Sequence, residues 1–245
     1  QIGGPSTTAP YKNWLDQFLT YVFENNLRCD FYSWHRYALL TQVYLEDVNR
    51  VDSWLFENAG HTLPKYLTEW GPDSENSSLY DNTGGAAHLV ATLPQLLQRV
   101  DFAFIFEIKD GPDPEGEKYW GRWGLLTHQN AGSIAKKPRY HALKLLNQMT
   151  GIRLRTNGEN QWIKAFAARE GKTIKLILVN FDPHGRHFEN IPVVFENLPS
   201  GTYQYQETYL NRAGQKTTEN VPTWTLLKEI PLRANEIVLV ELTKI

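Results

Sequence analysis

The sequence is poor in the features that mark several common classes of protein. It has a single cysteine, Cys29, which excludes an intrachain disulfide. Its net charge is -2, from 25 basic and 27 acidic residues, and no basic run stands out. This balance argues against nucleic-acid binding by electrostatic attraction. The longest apolar run, in the segment FAFIF, is far too short to span a bilayer.

The sequence also lacks an initial methionine and any signal-peptide pattern. It opens with Gln1. We expect either that an N-terminal segment has been removed or that the chain is part of a longer product.

Aromatic residues are abundant. They make up 13% of the 245 residues and include 8 Trp and 12 Tyr. Such rings stack on the apolar faces of sugars but also fill hydrophobic cores, and composition alone favours the core. With 41% hydrophobic and 21% charged residues, the chain has the composition of a soluble globular protein. Its length suits one large domain or two modest ones.

Residues 1–151 alternate between short apolar runs and amphipathic stretches. Four strands are predicted, at QIGGP, LRCDFYSWH, LPKYLTEWG and VDFAFIFEIKD. Helices are predicted after each strand. The first has apolar residues at helical spacing, which are Leu15, Phe18, Leu19, Val22 and Phe23. The second has Tyr44, Val48, Val51 and Leu55 along one face.

Glycine and proline punctuate these helices. Gly60 is a plausible stop for the second helix. Pro94 predicts a kink or a break in the third, and Gly151 is a candidate cap for the fourth. Strands that alternate with helices predict a parallel sheet with helices outside it. An open sheet and a barrel both fit at this level, although a complete (β/α)8 barrel needs about 250 residues and eight strands.

From residue 152 the pattern changes to short strand-like segments separated by turn residues, with no helical period. The segments are IRLRTN, QWIKAFAARE, TIKLILVNFD, IPVVFENLP, GTYQYQETYL and NEIVLVELTKI. They predict an antiparallel β-sandwich over residues 152–245.

Ionisable and aromatic side chains follow three of the four predicted parallel strands. His35 and Tyr37 follow the second, Glu69 and Trp70 follow the third, and the fourth ends in Glu107, Lys109 and Asp110. Functional residues of barrel and doubly wound folds collect at these strand ends. Carboxylate, imidazole, phenol and indole groups at one edge suit glycoside cleavage, which passes through an oxocarbenium-like state. An exposed loop acid for Glu69 and a structural histidine for His35 remain alternatives.

Other patterns are weaker. His184 and His187 have a metal-like spacing, but no third ligand is evident nearby, so a solvated loop is favoured. The acid-rich run 110–117 lacks the spacing of a calcium loop. No G-x-S-x-G elbow occurs, so a serine triad is not indicated.

Six motifs occur in the order seen in glycoside hydrolase family 39, which includes β-xylosidases and α-L-iduronidases. They are IGGP, CDFYSWHRY, YLTEWG, DNTGGAAHLV, VDFAFIFEIKD and GLLTHQNAGSIAKKPRYHALKLLNQMTG. The sequence resembles this family over about residues 1–150, and the β-rich part after them is similar to the family's accessory domain. The resemblance implies hydrolysis of O-glycosidic bonds in a carbohydrate, without a cofactor.

The resemblance also implies roles for single residues. It places Glu69 at the family's nucleophile after strand seven, and His35 and Tyr37 at the sugar-lining end of strand six. Glu107 and Asp110 then lie after strand eight. Phe106 stands where the family usually has a tryptophan, and Trp70 completes the predicted substrate-binding set.

On this alignment residues 1–151 form a (β/α) half-barrel that corresponds to strands 5–8 of a TIM-type barrel. The Asn-Glu-Pro segment that carries the family's acid/base glutamate is absent from the sequence. A half-barrel exposes two sheet edges and one interior face, so we expect self-association or a separate N-terminal half to complete it. The leading hypothesis is a glycoside hydrolase or its C-terminal portion. The alternative is a catalytically incompetent carbohydrate-binding or scaffold protein.

Overall fold

The computed structural model describes residues 1–112 and 121–245. Most of the acid-rich run 110–117 therefore lies outside the described residues. The described chain forms two compact units. The first comprises residues 1–77 and 95–134, and the second comprises residues 78–94 and 135–245. In neither described range is there a helix with the length and apolar character needed to cross a membrane.

A four-stranded parallel sheet organises the first unit, in the order β1-β2-β3-β4. Its elements are β1 (Gly3–Thr7), α1 (Lys12–Glu24), β2 (Phe31–Tyr37), α2 (Gln42–Ala59), β3 (Lys65–Gly71) and β4 (Phe102–Ile105). The predicted parallel sheet is confirmed, and each predicted strand overlaps an observed one, although β1 and β2 each extend two residues beyond the predicted segment. Gly60 ends α2 in the left-handed conformation, at φ 69°, which a glycine adopts without steric cost.

One face of this sheet, the helix face, is buried against α1 and α2. The helices contribute apolar side chains at the predicted helical spacing, which are Leu15, Leu19, Val22, Val48, Val51 and Leu55. The strands contribute Tyr32, Trp34, Leu67 and Trp70, each no more than 3% exposed. Phe23 departs from the prediction, since it is 52% exposed. It lies one residue beyond Val22, on the outer side of α1.

The opposite face, here called the aromatic face, carries a row of rings across three strands. Phe31 stacks on Tyr66 with ring centroids 4.1 Å apart, and Tyr66 meets Phe102 edge-on at 4.9 Å. Phe104 extends the row along β4. Phe102 is 52% and Phe104 is 50% exposed, so the row is open to solvent at β4.

Two β-bulges interrupt the sheet beside β2. In β1, Pro5 pairs with Ser33 and Thr7 pairs with Trp34, so Ser6 is the extra residue. In β3, Leu67 pairs with Trp34 and Glu69 pairs with His35, so Thr68 is the extra residue. A bulge changes which face the following side chains occupy. Strict alternation puts Glu69 on the face of Leu67, but the bulge puts it on the aromatic face with His35.

The second unit contains most of α3 (Thr83–Leu96), α4 (Pro138–Leu146) and the antiparallel sheets. Pro94 lies inside α3, and the helix continues for two residues beyond it. The predicted break at Pro94 is therefore not observed. The prediction that Gly151 caps α4 is wrong, since Asn147 occupies that position. Gly151 instead turns the chain into the next strand at φ 95°, where a Cβ would lie 2.2 Å from the Arg169 carbonyl oxygen.

Eight strands follow, numbered β5 to β12. They are Ile152–Leu154, Ile163–Glu170, Thr173–Asn180, Glu189–Phe195, Gly201–Tyr209, Lys216–Val221, Leu226–Leu232 and Ile237–Lys244. One sheet has the order β10-β9-β12-β7-β6-β5, and β11 pairs with β8. Side chains of both sheets share one hydrophobic core. The antiparallel pairing agrees with the prediction, although β10 and β11 were not predicted.

Candidate active site

Three of the predicted site residues meet at the C-terminal ends of β2 and β3. The Tyr37 hydroxyl donates a hydrogen bond of 3.0 Å to Glu69 Oε2. His35 Nδ1 lies 3.4 Å from the same oxygen. The side chains of His35 and Glu69 are 21% and 32% exposed, so this cluster is accessible to a ligand. The structure therefore brings together the carboxylate, the phenol and the imidazole.

Both contacts engage one oxygen of the carboxylate. Among the described residues, Glu69 Oε1 takes part in no hydrogen bond or ion pair. Such an arrangement fixes the carboxylate plane through one oxygen and leaves the other one for a reacting partner. This is the geometry that a carboxylate nucleophile needs, since its attacking lone pair must not be committed elsewhere.

A short row of hydroxyl groups, which the sequence did not reveal, lies next to this cluster. Ser6 Oγ is 2.9 Å from Ser33 Oγ, and Thr68 Oγ1 is 3.3 Å from Ser6 Oγ. Thr68 also donates to the Trp34 carbonyl oxygen at 3.2 Å. Ser6 and Thr68 are the two bulge residues, so their hydroxyls link the bulges across β2. The only sequence signal was the presence of hydroxyl residues at strand ends, which is too common to be specific.

Trp70 occupies a different environment from the one predicted. It is 3% exposed and lies edge-on to Tyr44 of α2, with ring centroids 5.9 Å apart. The Thr68 bulge pairs Trp70 with Arg36, on the helix face. This position favours a packing role for the ring over the predicted contact with a sugar.

Glu107 and Asp110 lie in the loop after β4, where they engage the segment 123–126. Glu107 donates its backbone N–H to the Trp123 carbonyl oxygen at 3.0 Å. Asp110 is buried, and its Oδ1 accepts the Gly124 N–H at 2.8 Å. A carboxylate used in this way holds a turn, so the geometry of Asp110 favours a structural role.

Phe106 lies in the same loop and remains a substrate-contact prediction. Its ring meets that of Trp123 at 6.1 Å, with an interplanar angle of 62°. Trp123 is half-buried. It follows no predicted strand, so its position in the sequence did not indicate a role in the site. The structure thus adds an indole beside the position where the family usually has a tryptophan.

The described residues contain no group of three or more His, Cys, Asp or Glu side chains that could hold a metal ion. His187, which the sequence offered as a weak metal ligand, instead pairs with Glu189 at 2.8 Å and stacks on Trp162. His184 lies in the exposed turn before it.

Solved structures share this fold. A family 39 enzyme from Xanthomonas axonopodis pv. citri matches with 20% identity and a TM-score of 0.76. A monomeric β-xylosidase from Caulobacter crescentus CB15 matches with 20% identity and 0.76, and a glucosidase from Croceicoccus marinus with 16% and 0.78. The matches cover 100% of this chain but 60%, 62% and 61% of the three neighbours. The chain thus spans about three fifths of their length.

The mixed fold, a parallel sheet with helices followed by antiparallel sheets, is that of these glycosidase structures. A family model described as Glycosyl hydrolases family 39 matches residues 1–212. The chain therefore belongs to glycosyl hydrolase family 39, and the resemblance drawn from its six motifs is confirmed. No curated protein matches it.

Proposed function

We propose that the chain carries the nucleophile half of a retaining glycoside hydrolase site, with Glu69 as the nucleophile. The observation that carries this proposal is the Glu69 carboxylate, held through Oε2 by Tyr37 and His35 while Oε1 is available. Membership of family 39 and the β-xylosidase among its structural neighbours support a xyloside-type substrate. An iduronoside, the kind of substrate cleaved by an iduronidase, is the other candidate substrate.

The proposed reaction has two steps. Glu69 Oε1 attacks the anomeric carbon, the glycosidic C–O bond breaks, and the leaving oxygen departs with the bonding electron pair. The glycosyl ester that results is then attacked by water at the same carbon. This second step releases the Glu69 carboxylate and passes the water proton to a base. Tyr37 and His35 hold the carboxylate in line with the anomeric carbon in both steps.

Hydrolysis of an unactivated glycoside needs a second carboxyl group about 5 Å from the nucleophile. Among the described residues, the polar contacts of Glu69 are with Tyr37 and His35, and neither is a carboxylic acid. We therefore propose that the acid/base comes from outside the residues in direct contact with Glu69 in the described part of the chain, for example from a second chain. Among the described residues, we keep Glu107 as the alternative candidate for this role.

We also propose that residues 1–151 form a half-barrel and that residues 152–245 form a β-sandwich accessory domain. The support for this proposal is the sequential order of the four parallel strands and the exposed rings of Phe102 and Phe104. We propose that a second copy of the chain, or a separate N-terminal half, covers this face.

Self-association through the aromatic face is testable in solution. Light scattering is expected to give twice the 28.3 kDa of one chain at micromolar concentration. Phe104→Glu is expected to return the mass to that of the monomer, because a charge would be buried in the contact. Phe56→Glu is the matched control, since Phe56 is 65% exposed but lies on α2. A wild-type chain that stays monomeric at all concentrations refutes self-association.

The proposed nucleophile is tested by covalent trapping. The full chain is incubated with 2,4-dinitrophenyl 2-deoxy-2-fluoro-β-D-xyloside, whose leaving group departs without protonation. We expect an intact-mass increase of one fluoroxylosyl group, located on Glu69 by peptide mapping. Absence of any adduct, together with measurable binding of xylose oligosaccharides, would instead support the carbohydrate-binding alternative. An adduct on another residue would refute the assignment of Glu69.

A further inference from the structure

The ends of β2 and β3 are anchored from behind by one residue of α2. Tyr44 is 1% exposed, and its hydroxyl donates a hydrogen bond of 2.7 Å to the Gly71 carbonyl oxygen. The same hydroxyl lies 3.3 Å from the Arg36 carbonyl oxygen and 3.5 Å from that of Ala38. A single buried phenol therefore contacts the backbone of both strands where they end.

A second anchor lies three residues further along α2. The side chain of Asp47 is 1% exposed, and its Oδ2 pairs with Nε of Arg36. Arg50 lies 3.7 Å from the other carboxylate oxygen. Burial of a carboxylate is costly unless it is paired, so this pair fixes the position of Arg36 firmly.

These anchors bracket the candidate active site along the chain. Arg36 and Ala38 are the two neighbours of Tyr37, and Gly71 follows Glu69 by two residues. The Ala38 N–H also donates to the Gly71 carbonyl oxygen at 2.9 Å, which ties the two strand ends to each other. The backbone segments that set the distance between Tyr37 and Glu69 are therefore those that α2 holds.

We propose that Tyr44 and Asp47 are positioning residues for the Tyr37–Glu69 pair. The inference rests on the proposed role of Glu69 as nucleophile. Both residues are buried on the helix face, so neither touches a sugar. They act by holding the backbone that presents Tyr37 and Glu69 on the other face of the sheet.

The expected signature is a loss in the rate of bond formation without a loss in binding. Tyr44→Phe removes the hydroxyl but keeps the ring against Trp70. Because a displacement of about 1 Å reduces reaction rates by up to about 100-fold, we expect the first-order labelling constant to fall about 10-fold. The half-saturating concentration of the fluoroxyloside is expected to stay within about twofold, since sugar-contacting groups are unchanged.

The test compares labelling kinetics of the full chain as wild type, Tyr44→Phe, Asp47→Asn, Tyr37→Phe and the Tyr37→Phe/Tyr44→Phe double variant. If Tyr44 acts through Tyr37, the two substitutions are not independent. The labelling rate constant of the double variant then falls by much less than the product of the fold-reductions seen in the two single variants. Tyr32→Phe is the matched control, because Tyr32 is 0% exposed on the helix face near the other end of β2. It is expected to label at the wild-type rate.

Amide hydrogen exchange supplies a readout that does not depend on activity. Exchange at Ala38 is expected to accelerate in Tyr44→Phe and not in Tyr32→Phe, because the strand ends lose their anchor. A variant that is merely less stable shows a lower labelled fraction and a lower Tm, but an unchanged rate constant for the folded protein.

The two proposals fail in different ways. A wild-type chain that is never labelled refutes the nucleophile and leaves the Ala38 exchange to decide whether α2 anchors the strands. If the wild type is labelled and both Tyr44→Phe and Asp47→Asn are labelled with the wild-type rate constant, the positioning role is overturned. If Tyr44→Phe does not fold, the Asp47→Asn rate constant decides alone.

Discussion

Glu69→Gln is expected to abolish covalent labelling of the chain. It is also expected to reduce turnover of activated aryl glycosides by at least about four orders of magnitude. The amide has nearly the shape of the carboxylate, and its oxygen still accepts the Tyr37 hydrogen bond. It has no anionic oxygen to attack the anomeric carbon, however. The loss is therefore chemical rather than structural.

The measurement is intact mass after incubation with the fluoroxyloside, together with thermal unfolding of the same samples. Because Glu69 is 32% exposed, we expect the Tm of Glu69→Gln to stay within a few degrees of the wild type. Glu75→Gln is the matched control, since Glu75 lies in the loop after β3 and is exposed. Labelling that persists in Glu69→Gln would refute the assignment, and loss in Glu75→Gln would show that the assay is not specific.

Much of the architecture could be predicted because it depends on the local spacing of apolar residues along the chain. Apolar residues recur every three or four positions in α1 and α2, and this period follows directly from helix geometry. The position of Glu69 at the end of a strand also follows, since parallel strands present their carboxyl ends at one edge. The ordered motifs then identified the family, which the model match over residues 1–212 confirms.

The direction of the site side chains could not be predicted, because register depends on neighbouring strands. The sequence of Leu67–Trp70 contains no signal that Thr68 is the extra residue of a β-bulge. Strict alternation directs Glu69 toward the helices and Trp70 toward the aromatic face, which is the reverse of what the structure shows. One extra residue in β3 therefore places the carboxylate of Glu69, and not the indole of Trp70, on the aromatic face.

The strands that were missed have a related physical cause. In β10, the sequence KTTENV has little apolar alternation, because most of its side chains are exposed or half-exposed at the edge of the sheet. In β11, Pro231 argues against a strand, but the strand lies in a two-stranded sheet where a missing N–H donor is tolerated. Edge positions thus relax the rules from which strands are recognised.

A buried carboxylate in the second unit gives the largest expected effect on stability. Glu207 of β9 is 7% exposed. Its Oε1 accepts hydrogen bonds from the Tyr205 hydroxyl at 2.6 Å and from Gln215 Nε2 at 2.8 Å, and its Oε2 accepts from the Tyr209 hydroxyl at 3.1 Å. Burial, followed by the charge of Glu207, raises the pKa of Tyr209 to about 12. Burial and the hydrogen bond to Glu207 also raise the pKa of Tyr205. Both phenols therefore remain protonated donors at neutral pH.

Glu207→Ala is expected to lower the free energy of unfolding by about 3–5 kcal/mol. It leaves two phenols and an amide without their common acceptor, and it opens a cavity beside the core. Glu207→Gln is the matched control and is expected to cost only about 1–2 kcal/mol. Its amide oxygen accepts from one phenol, while the other phenol can rotate to accept from the amide nitrogen.

Urea unfolding curves of the three chains give these differences, provided that the m-values agree. A Glu207→Ala chain within about 1 kcal/mol of the wild type would mean that water replaces the carboxylate, and that the cluster contributes little to holding β9 in its sheet.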